Sequence, residues 1–187
     1  MQPIRVGLVG IGTVGSGTWD VLQRNADEIQ RRAGRAIQIT QVADKDTARA
    51  HKLTGGKAKI VADAFEVVRS KDVDIVVELI GGYTVAKDLQ LEAIRNGKHV
   101  VTANKALLAH HGAELARLAD DKNVALSFEA SVAGGIPIVK TLREGLVGNS
   151  LTRLEILAVL SRRDRIVKLL DAEIAKQGEA AVIFTLP

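Results

Sequence analysis

An apolar run that gives way at once to three spaced glycines limits this chain more than any other feature. Ile4 to Val9 has β-branched character, Gly10-x-Gly12-x-x-Gly15 follows without a break, and the residues after it suit a helix. The order predicts a buried strand, a tight turn and a helix start. In a dinucleotide-binding βαβ unit the first glycine permits the turn, the second lets the backbone approach a pyrophosphate, and the third lets helix pack closely on strand. The phosphates then rest on the helix N-terminus, where N–H groups and the helix dipole favour negative charge. Glycines also gather in plain turns. The strand before this motif and the amphipathic stretch behind it favour the nucleotide function.

A parallel sheet covered on both faces needs an aliphatic core, and 47% hydrophobic residues with only 3% aromatics supply one built from Val, Ile, Leu and Ala. A length of 187 residues suits one domain of ordinary size plus a smaller piece. The net charge of +4 is spread over 26 basic and 22 acidic residues, which argues against a nucleic-acid partner. Without cysteine there are no disulfides and no thiolate metal sites. No leader-like segment and no bilayer-length apolar run stands in the sequence, so no membrane partner and a cytoplasmic location are expected.

Beyond the glycines, Ser16 to Ala33 reads as one helix with Trp19, Val21, Leu22, Ala26 and Ile29 inward and Gly34 ending it. Ile37 to Val42 reads as the second strand and ends at Asp44-Lys45-Asp46. An acidic residue there accepts from an adenosine ribose, whereas a cation holds a 2′-phosphate. Asp44 and Lys45 offer both, which leaves NAD and NADP open. His51 to Lys59 reads as a basic loop, and Lys57 and Lys59 as solvated charges within it. A helix over Asp63 to Lys71, a buried strand over Asp74 to Gly82, a helix over Thr84 to Asn96 and a strand over Lys98 to Thr102 follow. Gly81 and Gly82 would let a cofactor lie on bare backbone at the carboxyl edge of the sheet. His99 reads as a packing or edge residue. His110 and His111, adjacent on a helix, diverge by about 100° and read as surface residues rather than ligands of one metal. After a helix through Asp120 and a strand over Val124 to Phe128, Glu129 to Pro137 reads as a small-residue loop, and Ile138 to Leu146 as a helix. Five strands alternating with helices predict a Rossmann-type, doubly wound parallel α/β sheet.

With these stretches in place the chain resembles the homoserine dehydrogenases, through GLVGIGTVGSG (7–17), DIVVELIGG (74–82), GKHVVTANKALLA (97–109) and FEASVAGGIPIVKTLREGLVGN (128–149). The resemblance implies hydride transfer between a nicotinamide cofactor, NADP or NAD, and aspartate semialdehyde or homoserine, in amino-acid biosynthesis leading to threonine, methionine and isoleucine. It implies Lys105 as a catalytic or substrate-binding lysine beside the nicotinamide. The cofactor-binding set on these motifs is Gly10, Gly12, Thr13, Val14, Gly15, Asp44, Lys45, Gly81, Thr102 and Lys105. It further implies a monovalent cation, usually sodium, on Glu129, Val132, Gly134 and Ile136, and a homodimer in the full-length protein.

The resemblance stops near residue 150. The expected division is a cofactor domain over 1–130 and a partial substrate and dimerisation domain over 131–187. Leu151 to Leu160, a helix to about Lys176 and a strand over Ala180 to Leu186 read as a short β-α-β tail that does not follow the family pattern. Either the chain is truncated, or internal stretches are missing and the numbering is closed up. A non-catalytic nucleotide-sensing module is the competing class, and another semialdehyde or sugar dehydrogenase a third. Lys105 with Glu129 favours the enzyme.

Overall fold

The strand that precedes the glycines, β1 (Ile4–Val9), lies at the middle of a parallel sheet. In this computed structural model, which describes residues 2–134 and 136–141, the sheet has six strands. Its members after β1 are β2 (Ile37–Ala43), β3 (Lys59–Val61), β4 (Ile75–Glu78), β5 (His99–Thr102) and β6 (Leu126–Ser127), in the order β3-β2-β1-β4-β5-β6. The described residues lie within one compact unit, Met1–Thr141. The tail after residue 152, and the helix expected through Leu146 beyond Thr141, lie outside them.

The helices are α1 (Thr13–Arg24), α2 (Ala26–Ala33), α3 (Thr47–Thr54), α4 (Ala64–Arg69), α5 (Thr84–Arg95), α6 (Lys105–Asp121), α7 (Glu129–Ala133) and α8 (Ile138–Lys140). Successive strand residues point to opposite faces, so one β1 strand feeds two cores. Val6 and Leu8 join Ile39, Val42, Trp19 and Ala50 under α1 and α3. Val9 joins Val76 and Val100 under α4, α5 and α6, with Val67, Leu89, Ile94, Leu107 and Leu115. Burying each such side chain contributes roughly 1.5–3 kcal/mol. Gly7 serves that second face: a Cβ on it would lie 2.3 Å from Val67 Cγ1, so its absence lets α4 seat closely on β1. Among the described residues no helix is long and apolar enough to cross a membrane.

The fold departs from the sequence expectation in four places. The helix expected over Ser16 to Ala33 is broken at Asn25, which ends α1 with its N–H on Val21 O and begins α2. Asparagine favours such caps over helix interiors. Val21 is 44% exposed, because it lies two positions from the buried Trp19 and cannot share its face, and Ala26, also expected inward, is exposed at the start of α2. The segment His51 to Lys59 is not a loop throughout, since residues 51–54 complete α3 and Lys59 opens β3. That short strand, three residues paired with β2, makes six strands where five were expected. The stretch after Phe128 begins as a helix, α7, rather than a loop.

Candidate functional site

From β1 the chain moves outward through β2 to β3, and from β4 outward the other way to β6, so the order reverses between β1 and β4. At such a switch point the loops leaving the two strands part and open a crevice at the carboxyl edge. The three glycines sit at its mouth with three distinct geometries. Gly10 has φ +96°, and a Cβ there would meet Leu79 O at 2.9 Å. Gly15 passes so close to the turn that a Cβ would fall 2.0 Å from Gly10 O. Gly12 faces open space, with no atom within 4 Å of a Cβ placed on it. Gly12 is also the N-cap of α1 and supplies no side chain to it; α2, α5, α7 and α8 likewise start without a side-chain cap, whereas Asp46, Asp63 and Asn104 cap α3, α4 and α6. A bare, uncapped helix start beside a residue with room in front fits a pyrophosphate. Thr13 and Val14, both exposed, form its first turn.

Asp44 lies just past β2, and its carboxylate braces this turn. Oδ2 accepts from Ile11 N at 2.7 Å and Oδ1 from Asp46 N at 2.8 Å. Lys45 beside it is exposed, as are Lys57 and Lys59.

Across the switch point, Val14, Leu79, Ile80, Gly81, Ala103, Asn104 and Lys105 line a cleft of about 290 Å³. The cleft therefore joins the glycine helix to Gly81 and Lys105, which stand far from it along the chain. Lys105 is the first residue of α6 and exposed, so its ammonium adds to the positive end of a helix dipole, a placement that helix stability alone disfavours.

Beneath the cleft is a polar group that the sequence reading passed over. Glu78, the last residue of β4, is 0% exposed. Its carboxylate accepts from Ile80 N at 2.9 Å, Gln90 Nε2 at 2.7 Å and Thr102 Oγ1 at 2.8 Å. Burial pushes its carboxyl above the ordinary range, and these hydrogen bonds pull the other way. Thr102, expected among the cofactor contacts, is 1% exposed and turned to Glu78. The available signal was a glutamate inside the apolar run IVVELI, where an unpartnered charge would cost several kcal/mol.

The expected cation group sits at the α7–α8 turn. Both Glu129 oxygens accept from the α8 backbone, Val139 N at 2.8 Å and Lys140 N at 3.0 Å, and Ile136 O accepts from Ile138 N at 2.8 Å. Gly134 ends α7 with φ 61°, and Val132 lies within that helix. The donor set is all oxygen, which suits a hard cation, and in this arrangement two of its members already hold backbone N–H groups. His99 is exposed at the start of β5, between β4 and β6, with its Nδ1 accepting from Ala125 N at 2.9 Å. His110 is exposed against Tyr83, whereas His111 is half-buried with Glu114 at 3.7 Å. Among the described residues no cluster of three or more His, Cys, Asp or Glu could hold a metal.

Six parallel strands in the order 3-2-1-4-5-6, with a glycine-lined helix start at the reversal, define a Rossmann-type dinucleotide-binding domain. Residues 10–129 match the family model described as homoserine dehydrogenase, NAD binding domain. The chain belongs to that family. It is 54% identical over 154 residues to the homoserine dehydrogenase of Pseudomonas aeruginosa, covering 82% of this chain and 35% of the relative. It is 53% identical over 151 residues to that of Neisseria gonorrhoeae, covering 81% and 34%. The crystal structure of the Thiobacillus denitrificans homoserine dehydrogenase superposes with a TM-score of 0.76 at 54% identity, over 80% of this chain and 34% of that one. The chain thus spans roughly a third of the length of these relatives.

Proposed function

We propose that this chain is the cofactor-holding part of an oxidoreductase that interconverts aspartate semialdehyde and homoserine. The observation that carries the reading is the single cleft shared by Val14 of the glycine helix, Gly81 and Lys105. A nicotinamide dinucleotide supplies or takes up the hydride when bound. Gly10, Gly12 and Gly15, with the first-turn backbone at Thr13 and Val14, hold the pyrophosphate, and Asp44 receives the adenosine ribose. Gly81 leaves room for the second nucleotide half. Lys105 stabilises the substrate carbonyl oxygen as negative charge gathers on it, an interaction stronger in the transition state than in the ground state. Its place at the positive end of α6 adds to that field, and a sensor without catalysis has no use for it.

The finer parts of the reading follow the same residues. Asp44 suits the ribose 2′-hydroxyl of NAD and Lys45, exposed next to it, the 2′-phosphate of NADP, so the pair leaves both cofactors open. Glu129, Val132, Gly134 and Ile136 bind a monovalent cation once the α7–α8 turn opens its carbonyls to it. Residues 131–187 belong with a substrate and dimerisation region, and the working form is a cytoplasmic homodimer. Lys105 alone cannot clamp an amino acid's carboxylate and ammonium together, so the 187-residue chain by itself is expected to turn over little substrate.

The test is to assay Lys105→Ala in a full-length protein carrying this domain, with aspartate semialdehyde and NADPH. The expected outcome is a fall in kcat on the order of 100-fold or more with little change in NADPH affinity, as for loss of one oxyanion donor. Wild-type kcat would remove Lys105 from the chemistry, and ready turnover by the short chain would show that no further residues are needed.

A further inference from the structure

Facing each other across the cleft beside Val14 are two walls, residues 79–81 after β4 and residues 103–105 after β5. Backbone pairing between the strands ends at Glu78 with Thr102, so no ladder sets how far the walls part beyond that point. A closed ring of hydrogen bonds begins there instead. Glu78 takes Ile80 N from one wall and the Thr102 hydroxyl from the other strand. Thr102 Oγ1 accepts Asn104 N at 3.0 Å, so its one proton is committed to Glu78. Asn104 Nδ2 returns to Gly82 O, the residue next to the first wall, 2.6 Å away, while Asn104 Oδ1 caps α6 through Leu107 N. Ser131 Oγ, also buried, donates to Thr102 O at 2.9 Å.

Holding the sheet together needs none of this, and a buried aliphatic pair at 78 and 102 would meet that need at lower cost. Building on the proposed function, we propose that Glu78 is a positioning residue. Through Thr102 and Asn104 it fixes the separation of the cleft walls, and thereby the seat of the nicotinamide half and of the α6 turn that carries Lys105. In an open sheet of two mononucleotide-binding halves, the adenosine half belongs to the β1–β2–β3 side and lies outside the ring's reach.

The 187-residue chain is titrated with NADH and with ADP-ribose, which keeps the adenosine half and lacks nicotinamide, in wild type, Thr102→Val, Thr102→Ser and Glu78→Gln. Thr102→Val keeps the shape and cuts the ring. It is expected to weaken NADH about tenfold and ADP-ribose by less than about twofold, the worth of one hydrogen bond to a charged group. Thr102→Ser should restore NADH binding, and Glu78→Gln, which sets an amide N–H against donors, should follow Thr102→Val. Equal losses for both ligands would reduce the ring to a structural support and overturn the proposal. So would unchanged NADH affinity in Thr102→Val, or wild-type NADH binding no tighter than ADP-ribose. Wild-type chain that binds neither ligand would instead strike the nucleotide reading itself, and the positioning role with it.

Discussion

On the β1–β2–β3 side of the reversal the proposed site is made of backbone, with Asp44 as its main side chain, whereas on the β4–β5–β6 side it is made of side chains on a buried polar ring. The two sides solve different problems. A pyrophosphate needs close approach and unpaired N–H groups, which glycine and a helix start provide without any partner residue. Placing a reacting carbonyl needs a side chain held in one position. That takes buried side chains tied to one another by hydrogen bonds, as Glu78, Gln90 and Thr102 are. The backbone side should therefore fail by steric clash, and the side-chain side by loosening.

The largest effect that bears on this contrast is expected from Gly15→Ala. Its Cβ would meet a carbonyl oxygen of the turn at 2.0 Å, and backbone cannot swing aside as a side-chain tip can. Overpacking of this kind costs about 3 kcal/mol or more, a drop in Tm of roughly 10 °C for a chain of this size. A melting curve checks it, and an unshifted Tm would mean that the turn yields more readily than a backbone clash allows. A middle-sized effect is expected at Lys45. If it meets a 2′-phosphate, Lys45→Ala should weaken NADPH by about 1–2 kcal/mol and leave NADH nearly untouched. Equal losses measured for the two cofactors would point to general electrostatics.

The smallest effect lies at the opposite edge of the sheet, where Arg5 of β1 and Asp74 before β4 tie the two sides together. Asp74 accepts from Arg5 Nη2 at 2.7 Å and from Arg5 N at 2.9 Å, and the Arg5 guanidinium holds its carboxyl down at about 2, against an ordinary 3.8. A carboxyl depressed in the folded state stabilises above its unfolded value and loses that contribution as pH falls towards about 2. Both side chains are more than a third exposed, at 36% and 40%, so screening keeps the gain small. Asp74→Asn should flatten the loss of stability between about pH 4 and pH 2 in acid titrations followed by circular dichroism. Cofactor affinity should not change, since this pair lies away from the cleft. A loss of affinity would mean that the two sides are coupled through the seam.

The same contrast separates what the amino-acid order discloses from what only the packed fold does. The glycine turn is legible in the sequence because its constraints are local: three positions within six residues each forbid a side chain or demand freedom from one. The alternation of strands and helices is legible for the same reason. β3 is not, because three residues after a basic stretch carry too short a pattern, and its partner in β2 lies 18 positions earlier by the pairing of Gln41 with Lys59. The break at Asn25 is hidden by an amphipathic stretch that runs through it. Glu78 stands out as a glutamate inside an apolar run, but Gln90, Thr102 and Ser131 look ordinary in their own segments, and only the packing of β4, α5, β5 and α7 brings the four together. Lys105 stands out through its motif, and the fold adds its place at the start of α6 on the cleft.

The central claim is that the glycine turn receives a dinucleotide, and titration of Gly12→Val with NADPH and NADH by nicotinamide fluorescence tests it most directly. A Cβ at Gly12 meets nothing in the protein, so the variant should fold with a Tm close to that of wild type. Its added side chain would stand where the pyrophosphate must lie. The expected result is a folded protein with no measurable binding of either cofactor. Unchanged affinity in that folded variant would contradict the assignment of the site.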